Sequence, residues 1–140
     1  MKKRIVWILF VMMTIVLAAC SGTGSDTAVS ADIDITTLGD NIDVQTVATI
    51  MDRDDVIVLD VREQWEYDEG HIPNVTLIPM NEVPNRLSEI PTDKEVVVTC
   101  RSGNRSSQVA DFLRQQGYTN IHNMTGGILD WQAAGLPVEN

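Results

Sequence analysis

The chain has 140 residues and a formal net charge of −10, with 20 acidic against 10 basic side chains. That length accommodates one folded domain, and a charge of this sign excludes a surface built to hold nucleic acid. With two histidines and, as argued below, one free cysteine, the chain falls short of the four ligands of a structural zinc site, so no metal and no cofactor is expected.

The first twenty residues read as a targeting segment. Lys2-Lys3-Arg4 is basic, Ile5 to Leu17 is apolar, and Leu17-Ala18-Ala19 supplies small residues ahead of Cys20. The apolar run is short of the about 20 residues that a spanning helix needs, which makes a transmembrane segment the second reading. Leu17-Ala18-Ala19-Cys20 resembles a bacterial lipobox. The resemblance implies cleavage of residues 1–19 and lipid on Cys20, with the domain anchored outside the cytoplasm of a bacterium. The alternative is an ordinary secretory signal with an incidental cysteine. Cleavage removes three basic residues and no acidic ones, taking the charge from −10 to −13. So acidic a protein face is repelled by anionic lipid, and attachment rests on the acyl chains, more than one of which holds a protein stably. Cys100 is then left without an intramolecular disulfide partner, which marks it as a reactive thiol.

Residues 20–40 are rich in Gly, Ser, Thr, Ala and Asp and read as a flexible tether, with the domain at 41–140. Val44, Val47, Ala48, Ile50 and Met51 recur at helical spacing. Val56 to Leu59 is a short apolar strand ending at Asp60, and Gln64 to Glu69 a short helix stopped by Gly70. Val75 to Ile78 reads as a strand closed by Pro79, residues 83–89 as a helix, and Glu95 to Thr99 as a buried strand. A helix over Ser106 to Gln116 places Val109, Ala110, Phe112 and Leu113 on one side and stops at Gly117. Asn120 to Met124 is a last strand and Gly127 to Ala134 a last helix. Apolar strands alternating with helices predict an α/β fold, its central sheet mostly parallel and flanked by helices on both faces.

The segment Cys100-Arg101-Ser102-Gly103-Asn104-Arg105-Ser106 joins the strand at 95–99 to the helix that follows. A cysteine so placed meets backbone N–H groups and the positive end of a helix dipole, with Arg101 and Arg105 adding full charges nearby. These effects lower a thiol pKa and build a pocket for anions. The plainer reading, a buried cysteine acting as a small hydrophobe, does not account for flanking arginines and small turn residues.

Four blocks, namely Asp60-Val61-Arg62-Glu63 with Glu66, Gly70-His71-Ile72-Pro73, Cys100 to Ser106, and Gly126-Gly127-Ile128-Leu129-Asp130-Trp131, together resemble a single-domain rhodanese. The resemblance covers about residues 40–138 and implies a sulfurtransferase. Cys100 would carry a sulfane sulfur as a persulfide, from thiosulfate or a similar small donor to cyanide or a thiol. It also implies that the N–H groups from Arg101 to Ser106 (Ser102, Gly103, Asn104 and Arg105 between them) hold the persulfide anion, and that Arg101 and Arg105 dock the donor. Among members of that family, Arg directly after the cysteine, as Arg101 is here, goes with thiosulfate-type donors more than with mercaptopyruvate. Asn74 stands where the family often has Gly, and Asn tolerates the left-handed turn.

Two rivals remain at this level. A cysteine-dependent phosphatase or arsenate reductase uses a similar loop, but with one residue more between Cys and Arg than the four here. A non-catalytic, membrane-tethered module would bind a partner or carry persulfide passively. Arg62 is a secondary candidate for the pocket, although pairing with Asp60 or a neighbouring Glu is the more natural use of a strand-end arginine. His71 reads as a hydrogen-bonded structural residue and His122 as a strand residue facing partly outward. Gly126-Gly127 and Trp131 set a turn and pack the last helix, and Trp65 and Tyr67 belong to the packing or the pocket rim. A monomer is expected.

Overall fold

In the computed structural model, which describes residues 33–140, five strands form one parallel sheet. In chain order the elements are β1 (Asn41–Ile42), α1 (Val44–Ile50), β2 (Val56–Asp60), α2 (Gln64–Glu69), β3 (Thr76–Leu77), β4 (Glu95–Thr99), α3 (Asn104–Gln115), β5 (Ile121–Met124) and α4 (Gly127–Ala133). The strand order is β1-β5-β4-β2-β3, with β4 at the centre.

Successive side chains of a strand point to opposite faces, and here both faces are covered. On one side Leu59, Val96, Val98 and Cys100 meet Val109, Ala110 and Leu113 of α3. On the other, Val56, Val58 and Val97 meet Val47 and Ile50 of α1 and Ile128 and Trp131 of α4. The unbroken Val96-Val97-Val98 run is therefore what a strand buried on both faces requires. Each such side chain contributes about 1.5–3 kcal/mol on burial. Local signals agree with the packing: Asp43 caps α1 through its Oδ1, which accepts from the N–H groups of Gln45 and Thr46 at 2.9 Å. Asn74 takes φ 61°, the left-handed turn its side chain tolerates.

Several expectations change. The segment 83–89 is two short 3-10 turns, Val83–Asn85 and Leu87–Glu89, because Pro84 sits at the start of the first and Arg86 breaks between them. Residues 33–40, read as tether, are part of the domain: Ile33, Ile35 and Leu38 pack against the core beside α1 and α4, and the Asp40 carbonyl accepts from Asn123 N–H at 2.8 Å. His122 is buried, its Nδ1 2.7 Å from the Gly39 carbonyl and its Nε2 2.7 Å from Glu95 Oε2. The expectation that it faces outward fails because this N-terminal segment closes over β5. The targeting segment 1–19, Cys20 and the tether as far as residue 32 lie outside the described residues.

Candidate active site

Strand β4 ends at Thr99 and delivers Cys100 to the carboxyl edge of the sheet, where parallel α/β folds gather their ligands. The residue is 1% exposed. Gly103 then takes φ 93° and turns the chain straight into α3. In this turn the Gly103 N–H points at Cys100 Sγ from 3.1 Å, and the Ser106 hydroxyl lies 3.4 Å from Sγ and 3.1 Å from the Gly103 carbonyl. Burial, the largest influence on the thiol, raises its pKa. The Ser106 hydroxyl with the N–H groups of Ser106, Ser102 and Gly103 outweighs it, and the thiol sits below the ordinary cysteine value. We expect Ser106→Ala to raise the pH midpoint of Cys100 alkylation by iodoacetamide, since one donor to the thiolate is lost. A midpoint unmoved or lowered would remove Ser106 from the activation.

The loop keeps its N–H groups inward because its carbonyls are held from outside. Ile128 N–H donates to the Cys100 carbonyl at 2.9 Å and Leu129 N–H to the Arg101 carbonyl at 3.1 Å. This approach needs glycine at 127: a Cβ there would lie 2.4 Å from the Cys100 oxygen. The Gly126-Gly127 pair thus does more than turn the chain; it lets the start of α4 orient the cysteine loop.

The arginines divide. Helix α3 begins at Asn104, two residues before the predicted Ser106, so Arg105 rides on its first turn. Its two terminal nitrogens donate to Glu66 at 2.6 and 2.7 Å, a bidentate ion pair between α3 and α2. Arg105, expected on the donor, has both terminal nitrogens paired with Glu66. Arg62 makes the pairing expected of a strand-end arginine. It is buried, pairs with Asp60 through Nε and Nη2, and donates to the carbonyls of Glu66 and Gly70, so all its nitrogens are engaged in structure. Asn104 is exposed, and its carbonyl accepts from the Gln108 side chain. Ser102 is exposed and contributes its N–H. Arg101 is the arginine of the loop whose side chain is exposed.

Glu66, which stands in the first of the four sequence blocks, ties α2 to the start of α3 beside the site. Its partner lies 39 positions away, beyond any spacing rule. The hydrogen bonds from Arg105 hold its carboxyl below the ordinary glutamate value, burial working against them. A depressed folded-state pKa contributes stability above the unfolded value that is lost as pH falls through the folded one. We therefore expect Glu66→Gln to cost about 1–3 kcal/mol at neutral pH. Below the folded pKa of Glu66 the gap to wild type narrows, as urea melts across pH would read.

Beside the loop opens a cavity of about 230 Å³, bordered by Arg62, Trp65, Glu66, Glu69, Arg101 and Leu129 among others. Trp65 is 63% and Leu129 41% exposed, the exposed large hydrophobics among the described residues, and both border this cavity. Trp65 is thus a rim residue. Tyr67 instead stacks on His71 at 3.7 Å between ring centroids, and His71 Nδ1 lies 3.1 Å from the Tyr67 carbonyl, which makes both structural. Trp131 is buried, its indole N–H donating to the Pro137 carbonyl at 2.8 Å.

Comparison with known proteins agrees with this architecture. The profile of the rhodanese-like domain matches residues 43–134. A sulfurtransferase of Allochromatium vinosum is 45% identical over 89 residues, which cover 64% of this chain and 83% of that protein. A thiosulfate sulfurtransferase of Pseudoalteromonas translucida is 28% identical over 94 residues, covering 67% and 90%. The crystal structure of a rhodanese-related protein from Thermoplasma volcanium superposes with a TM-score of 0.67 at 35% identity, over 72% of this chain and 98% of that one. A profile that takes in both the Cys100 loop and the Gly127 turn leaves one assignment: the chain belongs to the rhodanese-like domain family, among relatives of sulfurtransferase type.

Proposed function

We propose that Cys100 is the carrier in a two-step transfer of sulfane sulfur. The observation that carries this reading is the donor set around Sγ, the Gly103 N–H and the Ser106 hydroxyl. They favour an anionic sulfur without a neighbouring base. In the first step the Cys100 thiolate attacks the outer sulfur of a donor such as thiosulfate. The Sγ–S bond forms, the S–S bond of thiosulfate breaks, and sulfite leaves with the electron pair. In the second, cyanide or a thiolate attacks the terminal sulfur of the persulfide, and Cys100 returns as thiolate. Charge is conserved in each step and no net oxidant is needed. The N–H groups lining the loop stabilise the persulfide anion, and Arg101 meets the anionic donor.

The test is the mass of the protein after incubation with thiosulfate: a gain of one sulfur atom, reversed by cyanide with release of thiocyanate. Hydrolysis of an aryl phosphate without any sulfur gain would favour the phosphatase reading. A protein that neither gains sulfur nor cleaves phosphate would be a binding module. The sequence of residues 1–20 supports a location for this chemistry, on a bacterial membrane outside the cytoplasm through lipid on Cys20. Cys20→Ala should release the protein from the membrane fraction, and a variant that stays bound would overturn the anchor.

A further inference from the structure

The cavity reaches the cysteine loop at Arg101, the residue after Cys100, and carries in Glu69 a carboxylate that the transfer of an inorganic dianion does not use. Of the charged side chains bordering it, Arg62 is paired with Asp60 and Glu66 with Arg105. Arg101 and Glu69 border the same cavity, are exposed, and make no ion pair or side-chain hydrogen bond with the described residues. One available cation thus faces the same small space as one available carboxylate. The exposed side chains of Trp65 and Leu129 stand at its edge.

A dianion such as thiosulfate finds one attractive charge there and one repulsive one, on a chain whose net charge of −10 repels it at long range as well. A zwitterion satisfies both charges. Its carboxylate pairs with Arg101, and its ammonium lies against Glu69 and the face of Trp65, a cation–π partner. The cavity, about 230 Å³, is below the usual range for drug-sized ligands and suits a molecule of amino-acid size.

Resting on the reading of Cys100 as a sulfur carrier, we propose that the sulfur donor is the persulfide of a zwitterionic aminothiol, cysteine persulfide being the simplest. The Cys100 thiolate attacks the terminal sulfur of the donor RSSH. The bond from Sγ to that sulfur forms, the S–S bond of the donor breaks, and the electron pair leaves on RS⁻. That thiolate takes the proton of the transferred sulfhydryl, so thiolate and RSSH become Cys100 persulfide anion and RSH. Arg101 and Glu69 orient the donor and take no part in the bond changes.

The experiment measures second-order rates of sulfur loading onto Cys100, by mass, from four donors. These are thiosulfate, cysteine persulfide, the persulfide of 3-mercaptopropionate, which lacks the ammonium, and the persulfide of cysteamine, which lacks the carboxylate. Cysteine persulfide should exceed each truncated persulfide by about fivefold, the upper end of what one exposed charge pair supplies. Glu69→Gln should erase the advantage over mercaptopropionate, keep the advantage over cysteamine, and raise the rate with thiosulfate. Equal rates for the three persulfides, or a preference that Glu69→Gln leaves intact, would overturn the zwitterion while leaving the carrier reading standing. Loading from thiosulfate alone has the same effect. Loading from none of the four removes the carrier reading and this inference with it.

Discussion

Replacing Cys100 with serine is expected to abolish sulfur loading from every donor, with turnover falling on the order of 10⁴-fold or more. The fold should hold within about 1 kcal/mol, because an oxygen takes the place of the sulfur among the same donors. A serine hydroxyl is neutral at working pH, and both histidines are engaged elsewhere: His71 is held at the Tyr67 carbonyl, and His122 lies between Gly39 and Glu95. Donors that tip a thiol toward its anion do not suffice for a hydroxyl, whose pKa is far higher. Loading is read by mass and folding by urea melts, so a chemical loss is separated from a structural one. Cys20 is the other cysteine of the sequence. Sulfur retained by Cys100→Ser would place the carrier there and dismiss the loop from the chemistry.

Gly127→Ala is expected to be the most damaging conservative substitution away from the thiol. Two costs coincide. The residue has φ 60°, where a non-glycine residue costs about 1–3 kcal/mol. The new methyl would lie 2.4 Å from the Cys100 oxygen and 2.6 Å from the Arg101 carbonyl carbon, and displacing such a neighbour costs about 1–3 kcal/mol more. Together these take about 2–6 kcal/mol from a domain whose total stability is of order 5–15 kcal/mol. Gly135 is the control: its φ is 71° and a Cβ there meets nothing within 4 Å, so Gly135→Ala carries the backbone cost alone. The difference between the two urea midpoints isolates the contact. The loop itself should loosen in Gly127→Ala, since the hydrogen bonds from Ile128 and Leu129 that hold the carbonyls of Cys100 and Arg101 are displaced. The pH midpoint of Cys100 alkylation then rises. Equal midpoints for the two variants would show that α4 does not orient the loop.

Local patterns carried much of the fold and the heart of the site. The apolar run through Val98 placed β4, the small residues after Cys100 placed the turn, and Val109, Ala110 and Leu113 placed the buried face of α3. Each is decided within a few residues, by hydrophobic period or by turn chemistry. The direction of Arg105 is different in kind. Its sequence position beside the cysteine suggested a role on the donor, but the start of α3 at Asn104 aims it toward α2, where Glu66 waits. The same limit applies to residues 33–40, polar enough to pass for linker, yet docked through Ile33, Ile35 and Leu38.

That an activated cysteine closes a parallel strand and opens a helix follows from neighbours in the chain and is legible there. Which charges remain for a ligand depends instead on how the elements pack. Arg62 and Arg105 are neutralised by partners brought to them through strand order and helix packing, while Arg101 and Glu69 are left on the cavity. An ion pair forms where two elements meet, and the strength of the charge it leaves behind depends on distance and burial that no stretch of chain contains on its own.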